Sequence, residues 1–459
     1  MLDHKLRELA DSDFYPFHMP GHKRQQTGLE DPYAIDITEI LGFDNLHDPQ
    51  GLILEAMERM AGLYHAKKSY LLVGGSTCGN LTAVFSALPQ KGCILMGRGS
   101  HKSIYHAAWL RQCRIVYTYP KVGQIGMIEG TSIAEYEQAL QVNPDIGAIV
   151  VTSPTYEGMI EPLDEIVALA HARGIPVIVD AAHGAHLGFD PYFPKSPLES
   201  GADLVIMSLH KTLPALTQTA VLHVNENSLV SERQIETYLD VFETSSPSYV
   251  LMASICQCIR FLEEEKAAFG VYASRLQDFY KKCKSLEKIR VSSFPGQDPG
   301  KIVIDVSKTW LSGHALEEIL LQKYHLVLEM SSFSYGLAMT SVMDSEEGFV
   351  RLFEALKEID REASARDTDD PCRTGQVLYG RGQKVMEYHE AMEKAKERCA
   401  LDQAEGRIAA SSVAIYPPGV PLIVPGERID QERIDLLNLA QKQGLTITGL
   451  VDHGLFVVI

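Results

Sequence analysis

The chain has 459 residues, of which 45% are hydrophobic and 22% are charged, which excludes disordered and fibrous proteins and predicts about two domains with full cores. Its 60 acidic and 42 basic side chains give a formal charge of −18, which argues against a nucleic acid as partner. No apolar run approaches the roughly 18 residues that span a bilayer, and the N-terminus is charged throughout. We therefore expect a soluble, cytoplasmic protein without a secretion signal or a membrane contact.

The acidic excess has two interpretations. The summed electric field of the acidic side chains can attract cationic small molecules to the site, or the acidic side chains can contribute to solubility only. Eight cysteines show neither the spacing of zinc ligands nor a short disulfide framework, which is typical of a reducing cytoplasm. No metal site is predicted from them.

The chain begins with a turn-rich segment and continues with alternating strand and helix patterns. Residues 1–48 lack this rhythm, so we interpret them as an N-terminal arm or set of loops packed on the main domain. The next part contains short apolar runs, and those from residue 146 onward are rich in Val and Ile, which is typical of strands covered on both faces. These runs lie at 69–73, 93–96, 146–152, 175–182 and 203–207. A helix is expected to start near Gly79, and another runs from about Pro162 to Gly174. Residues 49–300 are therefore predicted to form a major α/β domain with a mostly parallel sheet.

Past residue 300 the strands and helices become shorter. The pattern predicts a strand over residues 301–307 and a helix over residues 314–325. The polar stretch 361–375 predicts a linker or mobile loop, and the turn-rich stretch 416–427 precedes a helix and a closing strand. Residues 301–459 are predicted to form a smaller C-terminal α+β domain.

One lysine follows a predicted strand directly. Lys211 lies in SLHKT, just past the run DLVIM, and would project at the carboxyl edge of a parallel sheet, where open α/β sheets bind ligands. Lysine can hold an aldehyde cofactor as an imine, provided that its amine loses a proton. Most lysines are only solvated surface charges, so Lys211 becomes a candidate through its neighbours.

The first neighbour is Asp180, which ends the preceding strand and should lie at the same edge. A carboxylate beside a pyridine nitrogen keeps that nitrogen protonated, since an opposite charge moves a pKa by about 1–3 units. The alternative is a metal site, because Asp180, His183 and His186 have i, i+3, i+6 spacing and suitable donor atoms. Against it, Gly184 disfavours a regular helix, and a metal would leave Lys211 without a role.

Two further turns follow strands. GGSTCGN (74–80) opens a helix, and its backbone N–H groups with the hydroxyls of Ser76 and Thr77 suit a phosphate. It lacks the lysine of nucleotide phosphatases, and GRGSHKS (97–103) lacks the third glycine of a dinucleotide loop, so a small phosphate ester fits better than ATP or NAD. In the second turn, His101 either stacks on a cofactor ring or is a loop histidine bonded to backbone.

Together, these residues resemble a known family. FHMPGHK, GSTCGN, GRGSHKS, TSPTYEG, VDAAHGAH, SLHKTLPALTQTA, FETSSPSY and YPPGVPLIVPGE occur in the order seen in bacterial ornithine/lysine/arginine decarboxylases of the aspartate-aminotransferase fold. The resemblance covers almost the whole chain. It implies an α/β large domain of the PLP-dependent transferase type with a smaller C-terminal domain, and pyridoxal 5′-phosphate (PLP) as cofactor. The implied reaction converts arginine, lysine or ornithine to agmatine, cadaverine or putrescine and CO2, as in polyamine biosynthesis.

The resemblance also implies roles for single residues. Lys211 matches the Schiff-base lysine, Asp180 matches the partner of the pyridine nitrogen, and His101 matches the ring-stacking residue. His183 is placed near the cofactor. The positions that match phosphate contacts are Ser76, Thr77, Ser208 and His210. Ser246, in FETSSPSY, matches a phosphate contact that a partner subunit donates, so the resemblance implies a homodimer with shared active sites.

The chain departs from the family pattern in two places. It has LLVGG where an asparagine is more common before the glycine, and Ala181 where an acidic residue is common. Larger members carry an N-terminal regulatory domain, so we do not expect assembly into large rings here. Two other functions stay open: an aminotransferase or lyase that uses the same lysine, and a non-catalytic regulatory relative.

Overall fold

A computed structural model describes most of the chain, in the ranges 2–25, 28–29, 31–291, 294–364, 371–416 and 419–459. The side chains of 371–373 lie outside this description. Within the described ranges, no helix is long and apolar enough to cross a membrane. Seven cysteines are described, all as free thiols, and six of them are buried.

The described residues before Gly51 contain three short elements. They are α1 (Leu2–Ala10), β1 (Tyr15–Phe17) and α2 (Pro32–Ile35). β1 pairs in parallel with a strand formed by Leu326–Leu328, and Nζ of the buried Lys23 donates to the carbonyl of Met339. The predicted N-terminal arm or set of loops therefore contains regular elements. Buried extended backbone needs hydrogen-bond partners, and β1 finds them in the C-terminal half of the chain.

The central part of the chain alternates helices and strands. Its elements are α3 (Leu52–Tyr64), β2 (Lys68–Leu72), α4 (Gly75–Ala87), β3 (Cys93–Gly97), α5 (Lys102–Leu110), β4 (Arg114–Thr118), β5 (Lys121–Val122), β6 (Ile128–Gly130), α6 (Ile133–Val142), β7 (Ile146–Thr152), α7 (Leu163–His171), β8 (Val177–Asp180), β9 (Leu204–Ser208), α8 (Leu209–Thr212), β10 (Ala220–Val224), α9 (Glu232–Phe242), α10 (Tyr249–Glu264) and α11 (Ala267–Cys283).

A seven-stranded sheet forms the centre of this part, in the strand order β2-β10-β9-β8-β7-β3-β4. β10 is antiparallel to both of its neighbours, and the remaining pairs are parallel. The predicted mostly parallel sheet is confirmed. The predicted strand 146–152 coincides with β7, whereas the run 175–182 shortens to β8 because Pro176 has no N–H to donate to a ladder.

The helix predicted near Gly79 begins earlier, at Gly75. Gly75 has φ +72°, which lets the chain turn directly from β2 into α4. Gly79 instead lies inside α4, where it faces the sheet. A Cβ at Gly79 would lie 2.8 Å from side-chain carbons of Leu72 and Ile206. Glycine is therefore required there by the close approach of the helix to the sheet, and not by the start of the helix.

The C-terminal part contains short strands and helices of varied length. They are β11 (Arg290–Val291), β12 (Lys301–Asp305), α12 (Gly313–Tyr324), β13 (Leu326–Leu328), β14 (Met330–Ser331), β15 (Tyr335–Met339), α13 (Glu346–Glu362), α14 (Pro371–Tyr379), β16 (Gln383–Lys384), α15 (Tyr388–Glu393), β17 (Lys396–Ala400), β18 (Val413–Tyr416), β19 (Pro421–Ile423), β20 (Glu427–Arg428), α16 (Gln431–Lys442), β21 (Thr446–Thr448) and β22 (Gly454–Val458).

Two predicted irregular stretches are more regular than expected. Of the predicted linker 361–375, residues 365–370 lie outside the described residues, but α14 starts at Pro371, since proline suits a first helical position. In the turn-rich stretch 416–427, residues 417–418 are not described, and β19 pairs with β18. The predicted helix and closing strand follow as α16 and β22.

Five hydrophobic clusters are formed among the described residues, and three of them are large. The largest contains residues from both sides of residue 300, such as Ile259 and Leu352. A second covers the other face of the seven-stranded sheet. A third is formed within residues 399–457. The predicted domain boundaries at 48 and 300 stay predictions.

Candidate active site

Several predicted site residues lie at one edge of the seven-stranded sheet. Asp180 is the last residue of β8, Ser208 is the last residue of β9, and Lys211 follows in α8. Asp180 pairs in register with Thr152, the last residue of β7. The carboxyl ends of parallel strands meet at the same edge, which is where ligands of such sheets bind. Asp180 and Lys211 therefore lie at the edge where the sequence predicts them.

His183 lies between two lysines. Its Nε2 is 2.9 Å from Nζ of Lys211, and its Nδ1 is 2.6 Å from Nζ of Lys301. His183 and Lys301 are buried, whereas Lys211 is half-buried. Burial, reinforced by the two neighbouring cationic side chains, lowers the pKa of His183 well below its usual range. The imidazole is therefore neutral at pH 7.

Burial also lowers the pKa of both lysines. It lowers the pKa of Lys301 to about 8, although the carboxylates of Glu329 and Asp298 oppose this shift. It lowers the pKa of Lys211 against the opposing charges of Asp180 and Glu329. A lower pKa means that a larger fraction of the amine is uncharged at neutral pH, and the uncharged amine is the nucleophile.

The carboxylate of Asp180 is held by hydrogen bonds. Its Oδ2 accepts from Nδ2 of Asn80 at 2.9 Å, and its Oδ1 accepts from the backbone N–H of Ala182 at 3.2 Å. Nδ2 of Asn80 also donates to Oγ of Ser103 at 2.9 Å. Oγ of Ser103 lies 2.8 Å from Nδ1 of His101, so hydrogen bonds connect Asp180 to His101.

The ring of His101 is exposed at this edge of the sheet. The backbone N–H of Ser103 points at Nδ1 of His101 at 3.3 Å, so Nδ1 accepts and the proton of the neutral ring sits on Nε2. Although His101 is exposed, the protein atoms around its ring desolvate it in part and lower its pKa, against the charge of Asp180. A neutral ring with an open face can stack on a flat ligand.

The N-terminus of α4 and the end of β9 bring two hydroxyls together. Oγ of Ser76 lies 2.7 Å from Oγ of Ser208, while the neighbouring Thr77 is exposed. His210 is half-buried, and its Nδ1–H donates to the carbonyl of Thr219 at 2.9 Å. Burial lowers the pKa of His210 to about 4, so Nε2 of the neutral ring has no proton for a phosphate. The hydroxyls and helix N–H groups are better placed to hold an anion than this imidazole.

The donor set fits PLP. A helix N-terminus with two serine hydroxyls suits the phosphate, a hydrogen-bonded carboxylate suits a protonated ring nitrogen, and the Lys211 amine suits the aldehyde. Oδ1 of Asn80 is buried and has no hydrogen-bond partner among the described residues, which leaves one acceptor for a ligand. The residues that would hold the cofactor are Ser76, Asn80, His101, Asp180, His183, Ser208 and Lys211.

Ser246 lies apart from this group in the hydrogen-bond network. It is exposed in the loop between α9 and α10, and its backbone N–H donates to Oγ1 of Thr244 at 3.4 Å. Among the described residues, no hydrogen bond joins Ser246 to the site around Lys211. A cofactor contact by Ser246 within its own chain therefore has no support in the hydrogen bonds.

The three residues of the metal alternative are engaged separately. Nε2 of His186 lies 3.1 Å from Oδ1 of Asp298, and His183 contacts the two lysines. In the part of the chain that the structure describes, no three His, Cys, Asp or Glu side chains are grouped so that they could hold a metal ion.

Four residues at the site were not singled out from the sequence. Asn80 stands in the quoted motif GSTCGN, and Tyr156 stands in TSPTYEG, where its ring lies 4.8 Å from that of His183. Glu329 accepts from the hydroxyl of Tyr156 at 2.5 Å. Lys301 begins β12, outside any quoted motif. A lysine at the start of a buried strand has no local sequence pattern that indicates a functional site, so its role depends on tertiary contacts alone.

Two family models match the chain. The model described as Orn/Lys/Arg decarboxylase, major domain, matches residues 2–291. The model of the C-terminal domain of the same family matches residues 381–452.

Relatives match over almost the full length. A Bacillus subtilis protein named uncharacterized protein YaaO is 33% identical over 94% of this chain and 92% of its own length. The arginine decarboxylase of Bacillus subtilis is 30% identical over 99% of this chain and 96% of its own length. Among solved structures, the constitutive lysine decarboxylase of Escherichia coli has a TM-score of 0.76 at 20% identity, covering 89% of this chain and 74% of that chain, which confirms the predicted fold. From the matched models and relatives we conclude that this chain belongs to the Orn/Lys/Arg decarboxylase family.

Proposed function

We propose that this decarboxylase uses PLP to convert a basic L-amino acid, namely arginine, lysine or ornithine, to the corresponding amine and CO2. The observation that carries the proposal is the half-buried amine of Lys211, 2.9 Å from the neutral His183 and at the same sheet edge as Asp180. Burial favours the uncharged amine of Lys211, which is the form that binds an aldehyde covalently.

Each residue of the site has a separate role in the proposed reaction. When bound, PLP supplies an electron sink for the bond between Cα and the leaving carboxylate. Asp180 keeps the ring nitrogen protonated, and Asn80 holds the carboxylate of Asp180 in place. The exposed ring of His101 stacks on the cofactor. Ser76 and Ser208 bind the phosphate, together with N–H groups of α4.

Acidic side chains near the site support a cationic substrate. Glu329 is half-buried, and its charge acts on both Lys211 and Lys301. A cavity of about 50 Å³ beside Tyr156 is also lined by Glu157 and Glu161. A buried ammonium or guanidinium group needs a paired charge, which Glu329 can supply. Burial raises the pKa of Glu157 and Glu161, so these two carboxyls take the charged form more readily when a cation lies beside them. The names of the relatives agree, since arginine decarboxylases of Bacillus subtilis and Bacillus anthracis are 30% and 29% identical to this chain.

A homodimer with shared sites completes the proposal. Ser246 is exposed, so it is free to contact a second copy of the chain, and the family resemblance assigns it to the partner's phosphate site. In this arrangement each active site needs Lys211 from one subunit and Ser246 from the other.

Turnover with single amino acids tests the proposed function. The purified protein is incubated with arginine, lysine and ornithine, and separately with leucine and glutamate, while CO2 and amine are measured. We expect release of both from at least one basic amino acid, and none from Lys211→Ala. Lys308→Ala, which replaces an exposed lysine, serves as the matched control and should keep full activity. A keto acid without CO2 would identify an aminotransferase instead, and equal rates with leucine would contradict the basic substrate.

A further inference from the structure

Lys301 is a buried lysine to which the proposed function gives no role. Gly158 has φ +94°, and a Cβ there would lie 2.7 Å from Cγ of Lys301, so the side chain is closely enclosed. Nζ of Lys301 is 2.6 Å from Nδ1 of His183 and 3.2 Å from Sδ of Met339. Among the described residues, no carboxylate oxygen lies within 4.0 Å of this amine. Buried charges are ordinarily paired with an opposite charge, so this site does not favour a permanently charged Lys301 with a purely structural role.

Counting protons on His183 restricts the states of the two lysines. The neutral imidazole carries one N–H, so one ring nitrogen donates and the other accepts. An ammonium has three donors and no acceptor, so only an uncharged lysine amine can face the ring N–H. Because His183 contacts a lysine at each nitrogen, both hydrogen bonds form only when at least one of these lysines is uncharged. The tautomer of His183 then decides which lysine it is.

We propose that Lys301 is a positioning residue that acts through His183, taking up the proton that Lys211 loses when its amine becomes nucleophilic. In one state, Lys211 is an ammonium that donates to Nε2, and Nδ1–H donates to the uncharged Lys301. In the other state, Lys301 is an ammonium that donates to Nδ1, and Nε2–H donates to the uncharged Lys211. This proposal rests on the proposed role of Lys211.

The exchange between these two states balances. An N–H bond of Lys211 breaks as one forms at Nε2, and the Nδ1–H bond breaks as one forms at Lys301. One positive charge moves from Lys211 to Lys301, and the imidazole ends as the other neutral tautomer. No other proton donor or acceptor is needed.

The surrounding charges are compatible with one shared positive charge. The charged and titratable groups that act electrostatically on the three residues are Asp180 and Glu329 for Lys211; Glu329, Asp298 and Glu157 for Lys301; and His101 and His210 for His183. The charge of Glu329 acts on both lysines, so it stabilises the positive charge in either position. Two simultaneous charges repel, since Lys211 lowers the pKa of Lys301. Lys301 is thus suited to receive a proton and to return it.

The test measures the amine of Lys211 directly, without turnover. The full-length protein is stripped of cofactor with a carbonyl reagent and trace-labelled with acetic anhydride between pH 6 and 10, and acetylation of Lys211 is read by mass spectrometry. The variants are Lys301→Met, which removes the charge at similar length, and Lys301→Arg, which keeps a permanent charge. Lys308→Met, at an exposed position of the same segment, is the matched control.

We expect opposite effects from the two variants. In Lys301→Met, His183 has no amine to which it can pass the proton, and the cationic form of Lys211 is no longer opposed by a neighbouring positive charge. Labelling of Lys211 at pH 7 should therefore fall about tenfold, which corresponds to a rise of about one pKa unit. In Lys301→Arg the fixed cation favours uncharged Lys211, so labelling should equal or exceed that of the wild type. Lys308→Met should match the wild type.

Loss of labelling in both variants would indicate a structural role of Lys301 and overturn the proposal. An unchanged profile in folded Lys301→Met would overturn it as well. Where Lys301→Met does not fold, Lys301→Arg decides alone, and reduced labelling there contradicts the relay. Because no substrate is present, absence of decarboxylation would contradict the proposed function without altering this result.

Discussion

Nδ2 of Asn80 donates a 2.9 Å hydrogen bond to Oδ2 of Asp180, across 100 positions of sequence. Asn80 reaches the carboxylate from α4, and Asp180 ends β8. The same amide donates to Ser103, so its orientation is defined by two partners. Both Asn80 and Asp180 are buried, with 1% and 2% of their surface exposed, which strengthens the hydrogen bond by excluding water.

The first prediction concerns this hydrogen bond. In Asn80→Ala, the carboxylate of Asp180 loses the donor that fixes its orientation, so it is less well placed for a ring nitrogen. A hydrogen bond to a charged group contributes about 1.5–3 kcal/mol, so kcat should fall about ten- to a hundredfold, less than in Asp180→Asn. Initial rates of CO2 release measure this. Ser86→Ala, on the same helix, removes only a local bond to the carbonyl of Thr82 and should leave kcat unchanged. An unchanged kcat in Asn80→Ala would show that Asp180 does not depend on this amide.

The second prediction concerns pH and Glu161. Burial raises the pKa of Glu161 to about 7, although hydrogen bonds from Thr131 oppose the shift. A carboxyl with a raised pKa in the folded chain stabilises the fold fully below pH 4.5, its ordinary value, and loses this contribution as the pH rises through about 7. Glutamine at this position cannot ionise. Glu161→Gln should therefore gain stability over the wild type between pH 5 and 8, by about 3 kcal/mol at most.

Thermal denaturation of both proteins at several pH values checks this expectation. Glu137→Gln, at an exposed position of α6, is the matched control, and its difference from the wild type should not grow with pH. A constant difference between Glu161→Gln and the wild type would mean that Glu161 is already ionised in the folded protein at pH 5.

The third prediction concerns the packing of α4 on the sheet. Gly79→Ala places a Cβ 2.8 Å from carbons of Leu72 and Ile206, so helix and sheet must separate. Overpacking of this kind costs about 1–3 kcal/mol. Gly62→Ala in α3 meets no atom within 4 Å and should gain about 0.5–1 kcal/mol through helix propensity. Urea unfolding of both variants gives the two free energies, and equal effects at the two glycines would contradict the close contact.

The fourth prediction concerns the shared site. Ser246→Glu should damage the partner's phosphate site by charge repulsion, whereas Lys211→Ala damages its own site. Random pairing of the two coexpressed variants makes about half of the dimers hybrid, each with one intact site, so activity should return to about 25% of the wild type. Differently tagged subunits confirm that hybrids form. If Ser246 acts within its own chain, the hybrids contain no intact site and no activity returns.

The sequence by itself determined the fold class, the family and which strands end at the site. Strand ends are local signals: Val- and Ile-rich runs stop at Asp180 and just before Lys211, and parallel strands share one edge. Motifs such as SLHKTLPALTQ then identified the family. The start of α4 was missed because a glycine at a close contact resembles a turn residue in a sequence. The regular parts of the N-terminal segment were missed because short paired strands have no clear sequence pattern.

Only the tertiary structure decided which side chains surround Lys211 and His183. Lys301 starts β12 of a second sheet, and Glu329 lies between β13 and β14, so neither has a periodic pattern or a neighbouring motif that points to the site. Asn80 lies in the motif GSTCGN, but the sequence does not indicate that it binds Asp180. Hydrogen bonds of about 3 Å depend on how whole helices and sheets pack. The sequence therefore placed Lys211 at the edge of the sheet, and packing placed His183 between it and Lys301.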